Sequence, residues 1–249
     1  WGLSLADGLT ALLPTDAEPD AHWTDPDGVT HTVWVSTDAT VNAAISDAVA
    51  AQPVVIADGH HRYETSLQYR DEHRETHGVG TGADATLAYV VELVADELTV
   101  QPIHRLVEGL PSGDETLAVL GRRFAVEATE DFGPDAVARL VDAGAIGLCL
   151  PDGCYTLTPR PDGFDADVEL DTVRLVAALG DLPGAEVRYQ HGVGNVTAAV
   201  AAGEADAAFL MRPATIAQIQ GIAHGGDRMP PKTTFFAPKP ATGIVFRSF

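Results

Sequence analysis

The stretch Val54-Val55-Ile56-Ala57-Asp58-Gly59-His60-His61-Arg62-Tyr63-Glu64 decides the reading of this chain. Four apolar residues of strand size run into Asp-Gly, and a helical pattern to about residue 77 follows, with a charged second half. A strand that turns directly into a helix gathers backbone N–H groups and the positive end of the helix dipole at the turn. Gly59 permits a positive φ and a close backbone approach there. His60, His61 and Arg62 add two imidazoles and a guanidinium, and Arg62 is suited to hold phosphate oxygens in a fork. Asp58 could orient a histidine or bind magnesium. Two other readings stay open: Asp58 as a plain N-cap with surface histidines, and a metal centre. Against a metal centre, consecutive helical positions point about 100° apart, so both imidazoles seldom reach one ion.

Outward from this turn, residues 29–35 alternate as a half-buried strand and residues 38–51 read as a helix that Pro53 closes. Residues 15–28 are an aspartate-rich loop. Trp1, Leu3 and Leu5 suggest the interior of a strand, so the chain reads as truncated at its N-terminus. Two strands, 87–94 and 98–103, join at Asp96-Glu97. Beyond residue 114 helices and strands alternate, with helices at 115–123, 134–143, 170–179, 196–202 and 215–224. Strands fall at 124–128, 146–150, 155–158, 207–211 and 243–246. The class is α+β (mixed α/β), divided as 1–110, the phosphate-binding part, and 111–249, an α/β part.

Of 249 residues, 45% are hydrophobic, which supports a packed core. No apolar run reaches the roughly 18 residues of a spanning helix, and no signal peptide stands at the start, so a cytoplasmic protein without membrane contact is expected. The net charge is −21. Such a surface repels nucleic acid and anionic membranes, so any phosphate must be held by a local constellation. Cys149 and Cys154 flank a Leu-Pro-Asp-Gly hairpin turn and could approach one another; they read as two reduced, small apolar residues.

The only lysines, Lys232 and Lys239, lie in Met229-Pro230-Pro231-Lys232-Thr233-Thr234-Phe235-Phe236-Ala237-Pro238-Lys239, close after Arg228. Scarce cations concentrated in a proline-stiffened loop suit an anion, and a stiff loop loses less entropy on ordering. His104-Arg105 and Tyr189-Gln190-His191-Gly192 are weaker candidates for the same pocket. No Walker loop, HExxH helix or GxGxxG turn is present.

At these residues the chain resembles a known family. Asp58-Gly59-His60-His61-Arg62-Tyr63-Glu64-Thr65 and the stretch from Met229 to Lys239 match two signatures of the bacterial and archaeal domain of unknown function 1015 family. His104-Arg105-Leu106 and Gly243-Ile244-Val245-Phe246 also fit. Members carry an additional N-terminal portion, which implies that this chain is the C-terminal portion of the family's length. The Gly-x-x-Arg helix start further resembles the phosphate box of the ParB/sulfiredoxin superfamily, which includes ParB nucleotide switches and an archaeal free-serine kinase with a similar Asp-Gly-His-His-Arg stretch. That resemblance implies a ParB-like core and a nucleotide-dependent phosphotransferase acting on a small hydroxy amino acid such as free serine. Its cofactors would be ATP or ADP, with CTP as an alternative, and Mg2+; a homodimer is compatible. Asp58, His60, His61 and Arg62 would be catalytic, with Gly59, Lys232 and Lys239 on the phosphate. His104, Arg105, His191, Arg228 and Thr233 would face the substrate. The rival readings are a ParB-like nucleotide-binding regulator without kinase activity, and a metal-dependent hydrolase using Asp58, His60, His61 and His104.

Overall fold

The computed structural model describes residues 1–3, 8–26, 28–94, 98–165, 168–225, 229–237, 239 and 243–247. It is an α+β protein of two compact units, one of Trp1–Leu98 with Lys239–Phe249 and one of Thr99–Pro238.

The first unit contains a three-stranded sheet in which β1 (Gly2–Leu3) lies between β4 (Val54–Val55) and β5 (Val91–Glu92), antiparallel to the former and parallel to the latter. β2 (Ala21–Thr24) and β3 (Thr30–Val33) form a separate hairpin. The stretch expected to be a loop therefore supplies a strand, because Ala21-His22-Trp23-Thr24 pairs with residues 30–33 in spite of the flanking aspartates. Helix α1 (Ala39–Ala50) begins at Asp38, whose carboxylate accepts from the Thr40 and Val41 amides at 2.7 and 3.1 Å. Helix α2 (His60–His77) buries none of its residues. It forms from good helix formers such as Glu, Arg, Gln and Leu, and its Arg74 bonds Asp84 at 2.5 Å in the short turn Gly82–Asp84. Buried side chains of this unit include Leu3, Leu9, Leu93 and Glu92. Glu92 accepts from the Leu9 amide and, at 3.0 Å, from the Thr10 hydroxyl.

The second unit is built on six strands: β7 (His104–Glu108), β8 (Phe124–Thr129), β9 (Ile146–Leu150), β10 (Gly153–Pro159), β11 (Glu186–Gln190) and β12 (Ala207–Leu210). Their order is β11-β7-β12-β9-β10-β8, with every pairing antiparallel. Alternate residues serve opposite faces. Val107, Leu148 and Phe209 pack with Leu120 of α3 (Gly113–Leu120) and Leu175 of α5 (Asp171–Leu179). Their neighbours Leu106, Cys149 and Ala208 pack with Leu140 of α4 (Ala136–Ala143) and Val196 of α6 (Val193–Ala201). Gly147 makes the second face close: a Cβ there would lie 2.8 Å from Phe132 and 3.0 Å from Leu210. Helix α7 (Ile216–His224) follows, and β13 (Phe235–Ala237) pairs antiparallel with β6 (Thr99–Gln101).

Three expectations are corrected. The strands near 87–94 and 98–103 do not form a hairpin: β5 pairs with β1 and β6 with β13, and Asp96 and Glu97 lie outside the described residues. The stretch 243–246 is turn and coil rather than strand, with Val245 and Phe246 exposed. His104 and Arg105, expected to follow a strand and face a pocket, come after β6 but are themselves buried within β7. Among the described residues no helix is long and apolar enough to cross a membrane.

Candidate functional site

In the first unit, β4 leads through Ile56 and Ala57 to Asp58 and Gly59, and α2 starts at His60. Gly59 caps α2 in the left-handed region, φ 88° and ψ 25°, and has no side chain of its own to bond the helix start. The first helical main-chain bond runs from the Tyr63 amide to the Gly59 carbonyl at 3.0 Å. The amides of His60, His61 and Arg62 thus have no carbonyl one turn behind them, and they carry the positive end of an 18-residue helix. Arg62 arches back over this turn: a Cβ on Gly59 would lie 2.9 Å from its Nη2 and 3.0 Å from its Nε. Tyr63, one step further, packs edge-on against Trp1 with ring centres 5.3 Å apart, which fixes the helix start against β1.

Asp58 is engaged on both oxygens. Oδ1 accepts the Gly59 amide at 2.8 Å, and Oδ2 accepts Lys239 Nζ at 2.6 Å. The bond from Lys239, followed by its charge, the Gly59 amide and Arg62, outweighs partial burial and holds the Asp58 carboxyl below the usual carboxylate range. The two histidines diverge from the turn's cations in their surroundings. His61 is fully exposed, with Nδ1 3.5 Å from Glu64, and His60 is exposed as well. Asp58, Gly59, Arg62 and Lys239 are therefore brought together, while the imidazoles stand in solvent.

In the second unit a different group assembles. Arg105 is only 4% exposed, directly opposite Tyr189 in the β11–β7 pairing. Its guanidinium donates to the carbonyls of Ile103 and, at 2.9 Å, Lys232, and it lies 4.7 Å from the centre of the Tyr189 ring. Burial lowers its pKa from the ordinary guanidinium value. His104 is equally buried, and its Nδ1 accepts the Met211 amide at 3.1 Å, so the neutral ring carries its proton on Nε2. Burial first, then the charges of Arg105 and His191, bring its pKa down to about 4. Thr233 is buried and donates to the Pro230 carbonyl at 2.8 Å, and Lys232 takes a left-handed φ of 58° with its side chain exposed. The His191 ring stands 4.4 Å from Phe235. Arg105 thus serves as the anchor of the Pro230–Thr233 turn. Arg228 lies outside the described residues. Among the described residues no cluster of three His, Cys, Asp or Glu side chains is placed to hold a metal ion.

Spacing alone did not disclose the pairing of Asp58 with Lys239, or of Arg105 with Lys232. The unusual siting of both lysines was the available signal.

The fold and these two groups define a mixed α+β protein with a glycine-capped strand-to-helix turn in one unit and an arginine-anchored turn in the other. The chain belongs to the family described as Protein of unknown function (DUF1015), whose model matches residues 4–180. No protein of curated function matches it. Among solved structures it is similar to a mutant free serine kinase in complex with AMP, at 16% identity and a TM-score of 0.43, covering 73% of this chain and 66% of that one. A conserved hypothetical protein from Pyrococcus furiosus gives 15% identity and a TM-score of 0.42 over 73% of this chain and 68% of that one. SbnI from Staphylococcus aureus, with a C-terminal truncation, gives 16% and 0.43 over 74% and 62%. The chain thus spans about two thirds of each of these proteins.

Proposed function

We propose that the chain carries the phosphate-holding part of a nucleotide-dependent phosphotransferase that acts on a small hydroxy amino acid, with free serine the first acceptor to try. The observation that carries this reading is the start of α2: three amides without helical acceptors, a glycine cap without a side chain, and the Arg62 guanidinium folded over it. Phosphoryl transfer asks mainly for positioning and for offsetting charge, and this arrangement supplies both. The resemblance of Asp58-Gly59-His60-His61-Arg62 to the stretch in an archaeal free-serine kinase supports the acceptor.

In this reading the His60, His61 and Arg62 amides and the Arg62 fork take the phosphate oxygens. Asp58, kept ionised by Lys239, is too weak a base to take a proton from an alcohol. It orients the acceptor hydroxyl instead, and an exposed imidazole, His60 or His61, takes the proton. ATP or ADP is the donor. Mg2+ would be held chiefly by the nucleotide's own phosphates, since among the described residues no cluster of three His, Cys, Asp or Glu side chains is placed to hold it. The test is turnover of ATP and of ADP with and without serine, scored as phosphoserine formed. The reading expects Arg62→Ala to lower acceptor-dependent product at least a hundredfold; retention of wild-type turnover contradicts it.

A nucleotide-binding regulator without transfer activity is the second reading, favoured by the closed Asp58–Lys239 pair. Nucleotide binding by calorimetry with no acceptor-dependent product would select it.

A further inference from the structure

Cys149 and Cys154 face one another across the β9–β10 hairpin as directly opposed residues, with their sulfurs 2.8 Å apart. They are the only cysteines of the chain. A disulfide bond is about 2.05 Å long, so the two thiols need to close by less than an ångström, along a pairing the sheet already enforces. Cys149 is also held from its other side, since it is opposite Ala208 of β12. Both thiols are buried to within a tenth of their surface, yet both border an open cleft of about 510 Å³ between the hairpin and α6, lined also by Asp131, Thr197 and Ala201. A reagent thus has a route to a pair that is otherwise packed among Leu106, Leu140 and Val196.

We propose that Cys149 and Cys154 form an oxidisable dithiol site whose oxidant is a low-molecular-weight disulfide such as oxidised glutathione. The sequence of bonds balances. One of the two cysteines, as thiolate, attacks one sulfur of the small disulfide, forming a mixed disulfide and releasing one small thiolate, which takes up a proton. The other cysteine then gives up its proton, attacks the protein sulfur of the mixed disulfide and displaces the second small thiolate. The protein loses two electrons and two protons, and the small disulfide becomes two thiols. Burial and the bond to Cys154 push the Cys149 thiol up, so the exchange quickens as pH rises and more thiolate forms.

The test takes the reduced full chain, incubates it with oxidised glutathione, quenches with acid and reads intact mass before and after alkylation. The proposal expects loss of two hydrogens, loss of both alkylatable thiols, no glutathione adduct, and full reversal by dithiothreitol. Cys149→Ser should instead stop with one glutathione attached. Two intact thiols in the folded chain, under conditions that oxidise the same chain in denaturant, overturn the proposal. So does a wild-type chain that stops as a mixed disulfide.

Discussion

Lys239 reaches back across 181 positions of sequence to donate to Asp58, Nζ to Oδ2 at 2.6 Å, and ties the end of the chain to the turn that starts α2. The same terminal segment is held again where the Arg247 guanidinium donates to the carbonyls of Gly82 and Ala85. A family motif that looks like two separate signatures is, at this point, one contact.

Removing that contact should change how Asp58 titrates. Lys239→Met takes away the first cause of its lowered pKa, so the Asp58 carboxyl carbon should titrate at higher pH than in wild type. The pair is partly exposed, so raised salt should shift the wild-type value in the same direction. Carboxyl-detected NMR titration reads both effects. An unchanged Asp58 in the variant contradicts the pairing.

His104 predicts an acid-sensitive second unit. Its folded-state pKa is about 4 against an ordinary 6.5, so between those values the unfolded chain binds the proton and the folded one does not. Its contribution to stability is complete above about pH 6.5 and is lost as pH falls towards 4. The shift corresponds to roughly 3 kcal/mol at 1.36 kcal/mol per unit. Urea melts across that range should lose most of this slope in His104→Asn, which retains an acceptor for the Met211 amide and does not titrate.

Arg105→Leu should release the turn that presents Lys232. The carbonyls of Ile103 and Lys232 lose their donor, and each such loss in a buried place costs about 1–3 kcal/mol. Amide exchange at Lys232 and Thr233 should accelerate ahead of exchange in β9 and β12. Arg105→Lys should not restore protection, because an ammonium cannot fork to two carbonyls while lying over Tyr189.

Gly147→Ala should destabilise the second unit by about 1–3 kcal/mol, the usual range for overpacking, since Phe132, Leu210 and Leu140 already occupy the space its methyl would need. Chemical denaturation measures this; a neutral substitution would mean that α4 does not sit as close as described.

The sequence made the strand-to-helix turn legible because apolar residues ran straight into Asp58-Gly59, and the glycine does adopt positive φ. It made the Cys149–Cys154 hairpin legible through Pro151-Asp152-Gly153, and the two strands flank that turn in register. The edge strand β11 escaped, while β8 at the opposite edge was expected. Glu186, Arg188 and Gln190 gave β11 a polar look, since one side of an edge strand meets water. Apolar content misled at Ile244-Val245-Phe246, which has β-forming residues but takes no strand partner among the described residues. The roles of His104 and Arg105 were hidden for another reason. Polar and charged residues inside a buried strand are tolerated only through tertiary partners, here the Met211 amide, two carbonyls and the Tyr189 face, which local pattern cannot supply.

The central claim is that the first turn of α2 receives phosphate. Titrating the chain with ADP while following its backbone amide resonances tests this most directly. The account predicts saturable shifts largest at Gly59, His60, His61 and Arg62, abolished or weakened at least tenfold in Arg62→Ala. Saturable ADP binding that leaves those four amides unmoved, or no binding at millimolar ADP, would contradict it.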